Sequence, residues 1–479
     1  MRTTSSIRRT FGLGLAAVLF FAACGSDDST DTADSKATVV TDAPPVTDSA
    51  PTSEAPAEGA IAVPADYATI QEAVDAAVDG DLILISPGTY HEAVNVGTDN
   101  LTIRGLDRNT VILDGEFTLD NGIRVLGANG VAIENMTAMN YTNNGFFWTG
   151  VSGYRGSYLT AWRNGDYGVY AFDSVKGQLD NSYAAGSPDA GFYIGECYPC
   201  DSVIDNVVSE HNGLGYSGTN SGGNLLIVNS RFNNNRAGVV PNSGSYELCY
   251  PERETTIVGN LVYSNNQPDT PAIDVAILAM GNGILSAGGV ANTIERNQVW
   301  DHNRLGIGLV PFLEDGANDD EPTPEEWATP CSETKNQPPA AVIPDSILWD
   351  SKHNVVRENV LSDNRLGDIG IGSAGTDLGT LGNCFEGNTY EFTSPADLDS
   401  LAPCGYDIVG DLNAGSVNVA AWLVEQATMP PSVDYKTATL PDMPVLENMP
   451  NAATAPANPA TNVPFAIDLA AIKVPAKPV

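Results

Sequence analysis

Asp173 and Glu196 lie 23 residues apart, each three residues after a tyrosine, and Phe147, Tyr170 and Tyr193 recur at the same interval. If that interval is one turn of a coiling chain, the two carboxyl groups stack about 5 Å apart. At this spacing one carboxyl acts as nucleophile and the other as acid on a glycosidic bond, with burial and mutual repulsion raising one pKa. The same pair can chelate calcium together with nearby carbonyl oxygens. Phe147, Tyr170 and Tyr193, with Arg124 one interval earlier, would form an exposed stripe suited to sugar rings. The competing reading makes the rings a stacking ladder that stabilises a sheet and puts the acids in hydrated turns.

The elements that would position these groups are visible as a repeat. Short strands, each a glycine followed by alternating apolar residues, begin at Gly122, Gly145, Gly168, Gly191, Gly215, Gly238, Gly283 and Gly306, at spacings of 23, 23, 23, 24, 23, 45 and 23. Gly367 repeats the pattern of Gly306 after 61 residues, and the excess matches an acidic, proline-rich insert near 314–345. An asparagine travels in register with the glycines, at Asn135, Asn181, Asn206, Asn229, Asn260, Asn297 and Asn359. This period fits a parallel solenoid whose strands stack about 4.8 Å apart. Leucine-rich repeats share the period, but their leucine ladder is absent. Positions one and three after each glycine should point inward and position two outward. The asparagines are expected to form an internal ladder from coil to coil.

A solenoid needs covered ends. Ile70, Ala73, Val74 and Ala77 at helical spacing, with Thr69 as N-cap and Gly80 ending the turn, predict a capping helix. A second helix is expected around Trp422, followed by an extended proline-rich tail. The chain therefore divides into a leader (1–23), a tether (24–60), the solenoid (61–410), and a cap helix with tail (411–479). The leader carries Arg2, Arg8 and Arg9 before an apolar run too short to span a bilayer, which reads as a secretory signal peptide. The tether is Asp, Ser, Thr, Ala and Pro, too polar to offset its ordering entropy.

The formal net charge is −38, with 60 acidic against 22 basic residues. Nucleic acid is excluded as a partner, because phosphate binding runs on basic surface. A polyanionic glycan would be repelled unless calcium bridged the two. Of seven cysteines, Cys24 directly follows the leader, and Cys197, Cys200, Cys249, Cys331, Cys384 and Cys404 remain for disulfides in an exported chain. Six cysteines admit many pairings. Loop proximity points to Cys197 with Cys200, Cys249 with Cys331, and Cys384 with Cys404.

The leader's end, FAAC, resembles the lipobox of bacterial lipoproteins, which implies a lipid anchor on Cys24, attachment to a membrane and a position in the bacterial cell envelope facing the periplasm or exterior. Over residues 61–405 the chain resembles the right-handed parallel β-helix proteins of the pectin-lyase-like class. IQEAVDAAVDGDLILISPGTYHEAVNV and LTIRGLDRNTVILDG are close to the opening segment of pectin methylesterases, with Gly88, Tyr90 and Glu92 in a G-x-Y-x-E pattern. The resemblance implies an all-β, single-stranded right-handed parallel β-helix. If the chain is an enzyme, it implies a polysaccharide lyase or glycoside hydrolase.

The chemistry of those families is not matched. The Q-D-T and D-F-I-F-G motifs of the esterases are missing, as are the G-H-G and R-I-K of polygalacturonases. WDHN at 300–303 looks like a pectate-lyase W-I-D-H, but no arginine motif follows, and His302 and His211 both sit four residues before a repeat glycine. A third branch, the NosD proteins associated with copper-site maturation, would favour clustered His, Met or Cys, which the scattered seven Met and four His do not supply. The expectation is a lipid-anchored, monomeric envelope protein that binds or processes a polysaccharide, with calcium as the one cofactor to test. The alternative is a noncatalytic structural or adhesive surface protein.

Overall fold

Every coil buries its first and third residues after the glycine, and this alternation builds the interior. Ile123, Val125, Phe146, Trp148, Val169, Ala171, Phe192, Ile194, Ile307 and Leu309 are all buried in one continuous core. Burying each large side chain stabilises the fold by about 2 kcal/mol. Trp148, the largest, still satisfies its indole by donating to Val131 O.

The computed structural model describes residues 57, 59–460 and 464–478; the leader, Cys24 and nearly all of the tether lie outside them. The chain winds into three stacks of parallel strands: the first two are joined by the long strands Val131–Met139 and Ser152–Trp162 into one 20-stranded sheet, and the third is a separate 12-stranded sheet. In the third stack Tyr170 pairs with both Phe147 and Tyr193, and Ile307 with both Ile284 and Ile369, so repeat positions are aligned from coil to coil. Helix α1 (Ile70–Ala76) covers the first coil, its N-terminus held by a capping box between Thr69 and Glu72.

Two intervals exceed the 23-residue ruler by more than one residue, and each is a single coil with extra chain looped out. Val239 pairs directly with Ile284, so the 45-residue interval releases a loop at 243–252 and a segment carrying helix α2 (Asp274–Ala279). The 61-residue interval releases an antiparallel hairpin, Phe312–Asp315 against Ser346–Trp349, which carries 316–345 and helix α3 (Cys331–Thr334).

The far end differs from expectation. Helix α4 (Leu398–Leu401) and Leu412 close the core there, beside the Cys384–Cys404 disulfide. Helix α5 (Val419–Glu425), which contains Trp422, instead packs on the flank of the third stack, because Val417 pairs with Gly372 and directs it outward. The tail then runs extended over the outside, its carbonyls held by Arg236, Arg163, Arg104 and Arg296.

The asparagine column splits in two. Asn260, Asn297 and Asn359 form the internal ladder, each amide donating to the next at 3.0 Å and the last to Asn388. Asn181, Asn206 and Asn229 instead occupy left-handed turns (φ 49°, 54° and 50°) outside the interior. Asparagine tolerates that conformation, and in those coils Ser182 and Ser230 take the inward position. A second, parallel ladder runs through Asn212, Asn235, Asn265, His302 and Asn364. His302 is thus a repeat position; burial lowers its pKa to about 4, so it is neutral.

Candidate functional site

The aromatic column lies on the outer side of the third stack, on the strands Phe146–Thr149, Val169–Phe172 and Ala190–Gly195. Ring centroids are 4.8 Å apart for Phe147 and Tyr170, and 4.7 Å for Tyr170 and Tyr193. Tyr167, in the turn just before Gly168, adds a fourth ring. It stacks on Tyr170 at 4.3 Å and 11° and approaches Tyr193 at 5.0 Å. Phe147, Tyr167 and Tyr170 are half-buried, but Tyr193 is fully buried, so the stripe is not exposed throughout as expected. Arg124 pairs with Asp120 at 3.5 Å and donates to Asn95 Oδ1, one coil before Phe147.

Tyr193 is covered by the 243–252 loop, and its hydroxyl donates to Glu247. Burial raises the Glu247 carboxyl to about 8, a push that nearby Glu196 and Asp189 add to and the Tyr193 bond opposes. Asp189 is likewise raised to about 7 by burial, against the hydrogen bond from Tyr167. Three tyrosines and two proton-holding carboxyls therefore lie together on this face. The phenols of Tyr167, Tyr170 and Tyr193 are pushed well above their usual range by burial beside these acids and stay protonated.

The expected acid pair sits at the edge of this face. Asp173 and Glu196 do occupy equivalent turns on adjacent coils, where Asp173 N donates to Gly195 O at 3.2 Å. Each has acquired a partner from an excursion. Lys335, just after α3, contacts Asp173 at 2.5 Å, and Leu248 N donates to Glu196 Oε1 at 2.8 Å. Glu196 is only 6% exposed, and burial, with Asp173 adding, raises its pKa to about 7 against the Leu248 bond.

The loop itself is fixed at several points. Buried Glu314 of the hairpin accepts from Ser245 N, Ser245 Oγ and Trp349 Nε1 at 2.7–2.8 Å. Asn220 donates to the carbonyls of Gly244 and Glu247. Disulfides join Cys249 to Cys331 and Cys197 to Cys200, and Cys331 N donates to Tyr198 O. The loop, α3 and the column thus form one assembly.

A family model described as a right handed beta helix region matches residues 121–310. The chain has a right-handed parallel β-helix fold. Solved structures of similar β-helices include the A-module of mannuronan C-5 epimerase AlgE4 from Azotobacter vinelandii, at 15% identity over 67% of this chain and 90% of that one, TM-score 0.40. The periplasmic alginate epimerase AlgG matches at 12% identity over 70% and 84%, TM-score 0.41. Pectate lyase Pel9A matches at 12% identity over 82% and 89%, TM-score 0.39. These likenesses concern the fold alone. No curated protein matches the chain in sequence.

Within this β-helix the G-x-Y-x-E residues serve the cap. The Glu92 carboxylate accepts from Ile70 N and Gln71 N at 3.0 Å, and Tyr90 donates to Ser86 O. Among the described residues no group of three or more His, Cys, Asp or Glu is arranged to hold a metal ion. Tyr246 and Glu247 were not singled out from the sequence, because neither occupies a position of the repeat, and the only signal for them is the 45-residue interval. Tyr167 and Asp189 do lie in register, one and two residues before Gly168 and Gly191, but outside the positions to which the alternation rule gave a direction.

Proposed function

We propose that the tyrosine face of the third stack binds a polysaccharide, and that the chain is exported and held in the cell envelope by a lipid on Cys24. The observation that carries the reading is the stacked pair Tyr167 and Tyr170, partly open to solvent, with parallel rings 4.3 Å apart beside carboxyls that keep their protons near neutral pH. Aromatic faces accept the C–H face of a sugar, and a protonated carboxyl both donates to and accepts from sugar hydroxyls. Such a face suits a neutral glycan better than a polyanion, given the net charge of −38.

If the site also processes the glycan, Glu247 is the group suited to protonate a leaving-group oxygen, since it holds its proton to about pH 8. Tyr193 orients it. Asp173 and Glu196 remain the candidate pair for a glycosidase. The second reading, a noncatalytic binding or adhesive protein, is favoured by one observation: both acids of that pair are already engaged, by Lys335 and Leu248.

A glycan array probed with wild type and with Tyr170→Ala tests the binding reading. Binding that falls at least about tenfold in the variant supports it; a wild type that binds no glycan sinks it. Release of sugar from a bound glycan that disappears in Asp173→Asn or Glu196→Gln would refute the noncatalytic reading. Metabolic labelling with palmitate tests the anchor, which requires that Cys24→Ala abolish the label.

A further inference from the structure

The third stack carries a second apolar cluster, separate from the interior. It runs from Ala190 and Leu214 through Val240 and Leu285 to Val419 and Trp422, and Tyr167 packs against it. Part of it opens into a cavity of about 330 Å³, walled by α2, α5 and the hairpin, with Val240 and Leu285 among its lining. That volume falls within the range of small-molecule pockets. Leu313 and Leu423, 47% and 39% exposed, line it as well. Apolar surface of this kind left open to water marks a binding site.

The cavity lies on the same stack as the tyrosines, its lining residue Val240 three coils beyond Tyr170 in register through Tyr193 and Ser217. Tyr246, the residue before Glu247, donates its hydroxyl to Asn242 Oδ1 at 2.7 Å and sets its ring edge-on to Phe312 at 6.2 Å. Asn242 and Phe312 both line the cavity. A ligand lying along the stack would therefore meet flat aromatic rings and proton-holding carboxyls first, then a pocket with almost no polar group. A plain polysaccharide would leave that pocket to water. A sugar bearing a hydrocarbon chain would fill both halves.

We infer that this face binds an acyl- or alkyl-substituted sugar, with the sugar on Tyr167 and Tyr170 and the hydrocarbon chain in the cavity between α2, α5 and the hairpin. The inference rests on the tyrosine face being a sugar site. Each methylene buried multiplies affinity roughly fourfold, so even a partly buried chain dominates binding.

Calorimetric titration of the full chain with decyl maltoside, below its micelle-forming concentration, and with maltose tests this. Decyl maltoside should bind at least about a hundredfold more tightly. Ala420→Trp, which fills the cavity at an exposed position, and Val275→Lys, which charges its wall, should each remove most of that advantage. Tyr170→Ala should weaken both ligands by the same factor. Equal affinities for the two ligands, or an advantage untouched by both cavity variants, would overturn the inference while leaving the glycan reading standing. Decanoate binding as tightly as decyl maltoside would overturn it the other way, by removing the sugar. A concentration-dependent dimer dissolved by Ala420→Trp would show that a second copy covers the cavity, and would also overturn it.

Discussion

Desolvation and mutual crowding raise Glu247, Asp189 and Glu196 to about 8, 7 and 7, with Glu196 buried and Asp189 and Glu247 partly open to solvent. The facing groups are Tyr167, Tyr170 and Tyr193, along with Asp166, Asp173 and Lys335 at the margin. Below pH 7 the tyrosine face is close to neutral, and above pH 8 it accumulates negative charge. Affinity for a uronic-acid oligomer should therefore fall at least about tenfold between pH 6 and pH 9, and affinity for a neutral oligomer by much less. Calorimetry at the two pH values measures this, and Glu247→Gln should remove much of the uronate's pH dependence. Equal pH profiles for the two oligomers would mean that these acids do not face the ligand. Glu196 also carries a stability cost. Its folded pKa lies above its unfolded value, so its contribution is fully present below about pH 4.5 and is lost as pH rises through about 7. Glu196→Gln should accordingly raise stability at pH 8 by roughly 2 to 4 kcal/mol relative to its effect at pH 4, as read from urea unfolding.

At the scale of elements, the tyrosine face depends on an excursion being pinned to the coils. Glu314→Ala would leave Ser245 N–H and the Trp349 indole without their acceptor. Each orphaned buried donor costs about 1 to 3 kcal/mol. Hydrogen exchange in 243–252 should accelerate sharply while amides of the coils near Ile123 stay protected, and the glycan should be lost with the loop. The split asparagine column gives a second contrast. Asn297→Ala removes a ladder member bonded to Ile257 O and Asn359 Oδ1 and should cost about 2 kcal/mol or more. Asn206→Ala, at an exposed turn where the side-chain amide donates to Asn181 Oδ1, should cost well under about 1 kcal/mol apart from the strain of its positive φ. Similar costs from chemical denaturation would contradict the assignment of these two positions to different environments.

For the whole molecule, charge and buried acids act in the same direction. Glu252, inside the solenoid, is also raised to about 7 by burial. Asp189, Glu196, Glu247 and Glu252 thus each bind a proton more tightly folded than unfolded, and stability should decline as pH rises from about 5 through 8. His302 opposes this on the acid side. Its folded pKa is about 4, below its usual 6.5, so its penalty appears as pH falls through that window. The melting temperature should peak at mildly acidic pH. Added salt should raise it most at pH 8, where the repulsion implied by a net charge of −38 is largest; a flat salt response there would contradict this account.

The sequence alone specifies the solenoid, the inward and outward alternation and the cap helix that Thr69 opens, whereas the disulfide pairing was a choice that loop proximity only suggested. It could do so because each coil touches only its neighbours, so the fold is written as a short-period rule in which residue 170 must sit between 147 and 193. The same rule brought Asp173 and Glu196 together on adjacent coils. Only the tertiary structure decided what covers them. Ser245 meets Glu314 across 69 residues, and Asp173 meets Lys335 across 162. Contacts of that range follow no period. They bury Tyr193, bring Glu247 over it, engage the expected acid pair, and leave an apolar cavity at its side, because chain released from the repeat is free to fold back on any coil it can reach.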